Sequence, residues 1–333
     1  MQSKRQLNVE LMRIFSMLLI CLWHVNGHFL PLLPNAGSLV GKTLSLWMPY
    51  ITFHVDLFVL ITGYFGVRHL KRGLLKTSLL VIFYSLVLGA LTSYLGRQDF
   101  SWTQLLPFSG SPWWFMQVYL VLLLCSPILE RFLQDGTKSK MYYILIVSTF
   151  INVYLGWFRQ IPLYDHHGYD IVNFINLYVI GRCLKADEKT QHIIRKYKFC
   201  PLLIFIVCCL VRYKVQPVTS WNWWDYSSPL NIMMAISVFY MFLNLRVSMK
   251  LSRTIIFLSS SAVAVYLMTD YKGGYQLLAM VLDAFIGLSS SPAIQVVFIF
   301  LFVLLLFVIC CAIDKLRIML LAPIEKYVLR KYE

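Results

Sequence analysis

Apolar residues in this chain run in near-continuous blocks with short polar breaks between them. Ten blocks stand out: 9–29, 46–66, 74–95, 113–133, 140–157, 169–185, 199–213, 228–246, 254–270 and 291–313. An α-helix needs roughly 20 apolar residues to cross the hydrocarbon core of a bilayer. A helix that is apolar all round must be buried or lie in lipid. The pattern therefore predicts an all-α integral membrane protein with about ten transmembrane helices. A further stretch, YQLLAMVLDAFIGL at 275–288, is apolar but short and carries Asp283. It reads as a re-entrant or interfacial helix, because a full span there would move the basic C-terminus to the opposite face. Residues 1–313 are expected to form a single transmembrane domain. Residues 314–333 read as a basic cytoplasmic tail, partly amphipathic and suited to the inner membrane surface.

Composition agrees with this pattern. The chain is 59% hydrophobic and only 14% charged, whereas soluble domains run at about half apolar and a quarter charged. A soluble enzyme, a disordered chain and a nucleic-acid-binding domain are all excluded. The net charge of +15 then has a simple origin, since cytoplasmic loops of membrane proteins carry the Lys and Arg. With the N-terminus inside, the inner segments hold 24 basic residues, from Lys4 and Arg5 to Arg330 and Lys331, and the outer segments hold 6. Both termini are thus expected in the cytoplasm. The eight cysteines form neither C-x-x-C nor a Cys/His metal spacing and read as small hydrophobes. The first block contains Glu10 and Arg13 with no small-x-small site after it, so it reads as a span rather than a cleaved signal. No internal repeat is visible.

Ionisable side chains within spans are costly and mark candidate sites. Arg13 and His24 are eleven residues apart on the first span, about 20° from full register and about 16 Å along the axis. They share a face, with Arg13 at the cytoplasmic end and His24 toward the outer half. Glu10 lies three residues before Arg13 and can pair with it, and His28 lies one turn beyond His24. The second span carries His54 and Asp56. A buried carboxylate can fix a histidine tautomer and stabilise the imidazolium, but Asp56 reads equally well as an interhelical hydrogen-bonding group. His24 likewise reads either as a reactive group or as a buried histidine bonded to a neighbouring helix. The cluster Arg68-His69-Leu70-Lys71-Arg72 suits phosphate oxygens or serves as positive-inside anchoring. Outer-segment aromatics, including Trp102, Trp113, Trp114, Trp221, Trp223 and Trp224, read as an interfacial belt, a platform for sugar rings, or both. No G-x-S-x-G elbow supports a serine nucleophile. The histidines share no spacing with carboxylates that would imply a metal.

At these residues the sequence resembles the membrane acyltransferase 3 family, bacterial enzymes that O-acetylate surface polysaccharides. Four stretches carry the resemblance. NVELMRIFSMLLICLWHVNGHF holds Arg13 and His24 in the family's Arg-x10-His spacing. HVDLFVLITGYFGVRHLKR is similar to its D-x-F-F-x-x-S-G-Y stretch with a basic cluster. WWFMQVYLVLLLCSPILERFL and SSSAVAVYLMTDYKG are similar to its W-F-x-x-x-Y-L…S-P and S-x-x-x-Y-L-I-H elements. Two positions depart from the pattern: Thr62 stands where the family has Ser, and Thr269, followed by Asp270, stands where it has His.

The resemblance implies transfer of an acyl group, most simply acetyl, from cytoplasmic acetyl-CoA to a hydroxyl of a polysaccharide or lipid-linked glycan. It implies His24 as general base or transient acyl acceptor, with Asp56 or Glu10 orienting it and Arg13 nearby. Arg68, Lys71 and Arg72 would hold the CoA phosphates, with no metal required. Trp113, Trp114 and Tyr119, opening the fourth span, would contact sugar. Membrane lipids are the other expected partner, and a bacterial inner membrane the expected location. The rival reading is a polytopic transporter or flippase for a glycan or lipid-linked precursor. Such a protein would show repeats with paired broken helices. Here the intramembrane charge instead concentrates in the first two helices.

Overall fold

A computed structural model describes residues 6–33, 39–134, 137–162 and 164–329. Lys4, Arg5, Arg330 and Lys331 of the charge distribution lie outside them. Among the described residues every regular element is helical. Eight helical segments are long and apolar enough to cross a membrane: Leu7–Leu32, Val40–Phe65, Leu70–Tyr94, Trp114–Leu133, Lys138–Phe158, Cys200–Val218, Met249–Thr269 and Pro292–Pro323. The chain is a multi-pass integral membrane protein.

These eight fall on eight of the ten apolar blocks. The blocks at 169–185 and 228–246 form the shorter helices Ile171–Ala186 and Pro229–Leu243. At 1.5 Å per residue each reaches about 22–24 Å, less than the roughly 30 Å hydrocarbon core. Both bury polar side chains, Asn173 and Asn176 in one and Asn231 and Ser237 in the other. They are held by protein on most sides, so their length need not match the lipid.

In chain order the α-helices are α1 Leu7–His24, α2 Leu39–Trp47, α3 His54–Phe65, α4 Leu70–Tyr94, α5 Trp114–Gln134, α6 Lys138–Thr149 and α7 Ile171–Ala186. They continue as α8 Glu188–Lys196, α9 Cys200–Val215, α10 Pro229–Leu243, α11 Ser252–Ser259, α12 Ala262–Thr269, α13 Tyr275–Ile286 and α14 Pro292–Leu329. They gather into two compact units. The first comprises Met1–Arg13, Thr52–Leu70 and Val118–Leu251, and the second Ile14–Ile51, Lys71–Gln117 and Ser252–Glu333.

In the first unit α3 lies against α7, and two glycines allow the close approach. A Cβ at Gly63 would overlap the backbone of Tyr178, and one at Gly181 would come within 2.6 Å of the Leu60 carbonyl oxygen. Past α3 the chain turns at Gly66, whose φ of 69° suits glycine. Beside that turn Glu130 Oε1 accepts from the Tyr178 hydroxyl at 2.5 Å and forms an ion pair with Arg182, whose Nε lies 3.2 Å away. Inside α5, Pro127 removes a backbone donor, and the preceding Ser126 hydroxyl donates to the Leu123 carbonyl at 2.7 Å.

In the second unit α12 and α13 pack against α14. The α12 sequence AVAVYLMT is almost wholly buried. α14 continues as one helix well past residue 313, so residues 314–329 extend a rod. Within it Asp314 is buried and accepts from Arg317 Nε at 2.8 Å and from the Tyr84 hydroxyl at 3.1 Å. The short stretch at 275–288 forms the twelve-residue helix α13, with Asp283 exposed.

Candidate active site

His24 ends α1, where the helix widens into a π-helical turn over Val25–Phe29. Such turns insert one extra residue and occur often at functional sites. His28 stays on the same side, its ring stacked 5.5 Å from that of His24. α12 ends at Thr269, and Asp270 follows as its C-terminal cap. The chain then makes a single 3₁₀ turn and re-enters helix at Tyr275. Packing of α12 and α13 on α14 thereby delivers Thr269, Asp270 and Tyr275 to the two histidines, all within the second unit.

His24 Nδ1 lies 3.0 Å from Thr269 Oγ1, with both side chains buried. The Thr269 hydroxyl hydrogen is directed to the Val265 carbonyl at 2.9 Å, so Thr269 offers His24 only a lone pair. With Nδ1 of a neutral imidazole as the donor to that oxygen, Nε2 keeps its lone pair. Nε2 lies 3.7 Å from Asp270 Oδ1. The same carboxylate oxygen accepts from the Tyr275 hydroxyl at 2.7 Å and lies 3.4 Å from His28 Nε2. The ring of Tyr275 stacks on His28 at 4.5 Å. Side-chain exposure rises from 6% at His24 through 11% at Asp270 to 33% at His28, so the cluster opens on the His28 side. The arrangement sets a buried imidazole beside a hydrogen-bonded carboxylate, a pairing that suits proton transfer.

The other expected residues have separate surroundings. Arg13 Nη1 donates to Glu10 Oε1 at 2.7 Å. With Glu10 nearly buried, this pair accounts for Glu10 as the partner of Arg13. Asp56 does not stand alone in the first unit. Its Oδ2 accepts from Asn231 Nδ2 at 2.8 Å. Asn231 Oδ1 in turn accepts from the Thr52 hydroxyl at 2.7 Å and from Arg212 Nη2 at 3.3 Å. All four side chains are buried. Asp56, expected to orient His24, is a member of a polar network within the first unit, and within the second unit a carboxylate beside His24 is that of Asp270. Arg212, near the end of the apolar block 199–213, is a buried member of that network.

Arg68, Lys71 and Arg72 are exposed on the turn between α3 and the start of α4, as a phosphate contact requires. Trp113, expected to touch sugar, is instead fully buried, and its indole N–H donates to the Leu267 carbonyl at 3.0 Å. That bond braces the end of α12 that carries Thr269. Trp114 is half-buried with its ring edge-on to Phe115. The Tyr119 hydroxyl lies 3.3 Å from Thr62 Oγ1.

The described residues thus form an all-helical, multi-pass membrane fold with a buried histidine that lies against a threonine hydroxyl and a carboxylate. The family model described as an acyltransferase domain matches residues 6–314. The chain belongs to the acyltransferase 3 family. No curated protein and no solved structure matches it.

Proposed function

We propose that this acyltransferase moves an acetyl group from cytoplasmic acetyl-CoA to a hydroxyl of a surface polysaccharide or lipid-linked glycan, with His24 as the catalytic base. The observation that carries this reading is the commitment of His24 Nδ1 to Thr269, which leaves Nε2 free to accept a proton. In the reaction the acceptor hydroxyl gives its proton to Nε2 as its oxygen attacks the thioester carbonyl. The C–S bond breaks, and the departing CoA sulfur takes the proton back from Nε2. Asp270 stabilises the imidazolium in between. In the two-step variant Nε2 itself accepts the acetyl group before passing it on.

Arg68, Lys71 and Arg72 hold the CoA phosphates, and Arg13 is the basic residue near the cytoplasmic end of α1. Trp114 is the aromatic residue that meets sugar. Ten spans with both termini in the cytoplasm, in a bacterial inner membrane, place the basic cluster on the side where acyl-CoA is found. Family membership favours this over a transporter. The test is CoA release from acetyl-CoA by the purified protein, alone and with a glycan extract. Release that is lost in His24→Ala supports the reading, and release that survives unchanged overturns it.

A further inference from the structure

The sequence spacing gave no reason to expect a metal, because Asp270 lies 246 positions after His24. The fold brings them together. His24 Nε2 and His28 Nε2 lie 3.7 and 3.4 Å from Asp270 Oδ1, and the three donor atoms lie within 4.8 Å of one another. Bonds of about 2.0–2.1 Å to a tetrahedral ion put neighbouring ligand atoms about 3.3 Å apart. Two edges of the triangle are therefore near that value already, and the third is no longer than 4.8 Å.

The surrounding groups also match what metal ligands require. Histidine ligands characteristically donate their other ring N–H to an oxygen, which fixes the tautomer. His24 does this to Thr269. Ligating carboxylates are themselves hydrogen-bonded, and Asp270 receives the Tyr275 hydroxyl. Two imidazoles and one carboxylate suit Zn²⁺ and its neighbours, whereas Ca²⁺ and Mg²⁺ prefer oxygen. The partial exposure of His28 supplies a route of entry.

We propose that His24, His28 and Asp270 form a binding site for a divalent transition-metal ion of the Zn²⁺ type, and that its occupation silences the transferase. The binding half rests on geometry alone. The silencing half rests on His24 Nε2 being the base, because a lone pair bonded to a metal cannot take up a proton.

The test uses the whole protein in detergent, stripped with a chelator and titrated with Zn²⁺ against a chromophoric competitor. One Zn²⁺ per chain is expected, with affinity lowered at least about tenfold in His28→Gln and in Asp270→Asn. Wild-type protein loaded with Co²⁺ checks the site without any substitution. It should show the intense visible bands of tetrahedral nitrogen and oxygen coordination. The chain holds eight free cysteines, and thiolate-to-metal charge-transfer bands would place the ion on them and overturn the proposal. Unchanged Zn²⁺ affinity in both variants would overturn it too. CoA release by stripped enzyme should fall as Zn²⁺ is added and return with EDTA. Zn²⁺ that binds as described but raises release would overturn the silencing half, and with it the general-base role of His24. Absence of binding alongside His24-dependent release would overturn the metal site and leave the transferase reading intact.

Discussion

A single side chain decides which nitrogen of His24 is basic. Thr269 can direct its hydroxyl hydrogen to the backbone, which matches the imidazole donating to it through Nδ1. Thr269→Val keeps the shape but removes the acceptor, and it should lower kcat roughly 10–100-fold, by analogy with the loss of a hydrogen-bond partner behind a metal-bound histidine. Thr269→Ser restores the oxygen and should recover most of the rate. A steady-state comparison of kcat and KM for acetyl-CoA checks this, with KM expected to move little. His24 was legible as a candidate because an ionisable group inside a span is rare and because of its register with Arg13. Its partner was not. Thr269 and Asp270 stand out in sequence only as a departure at the end of an apolar block, and nothing along the chain says that α12 ends beside α1. Asp56 drew attention for the same reason as His24, but its Asn231–Thr52–Arg212 surroundings depend on helices far away in sequence. Arg212 carries a signal in the sequence, as a charge inside the apolar block 199–213.

Helices α3 and α7 approach closely through Gly63 and Gly181, where added methyl groups meet backbone rather than a side chain that can swing away. Backbone cannot yield cheaply, so Gly63→Ala or Gly181→Ala should each destabilise the protein by roughly 1–3 kcal/mol. A clear fall in Tm in detergent, measured by intrinsic fluorescence, checks this for each variant. Gly73, with open space around its would-be Cβ, is the control whose substitution by Ala should leave Tm unchanged or raised. Block length predicted where these helices lie better than what surrounds them. α7 and α10 were expected as full spans because their residues are apolar, but apolarity does not distinguish lipid from protein as the neighbour. The π-helical turn at Val25–Phe29 was not legible at all. Its effect is local, keeping His28 stacked near His24.

For the molecule as a whole, the asymmetry of basic residues is the feature most readily read from sequence, and it leads to a direct prediction. A C-terminal fluorescent reporter that matures only in the cytoplasm should be bright, and an alkaline phosphatase fused at the same point should be inactive. The opposite pair of results would reverse the topology and strand Arg68, Lys71 and Arg72 away from acyl-CoA. The central claim is that His24 performs acyl transfer, and isotope tracing tests it most directly. Purified wild type and His24→Ala, both shown to be inserted and monodisperse, are incubated with radiolabelled acetyl-CoA and a glycan acceptor extract. Wild type should release CoA and pass label to the glycan, with any label retained on the protein marking the two-step route, and His24→Ala should do neither. Equal transfer by both proteins would contradict the account.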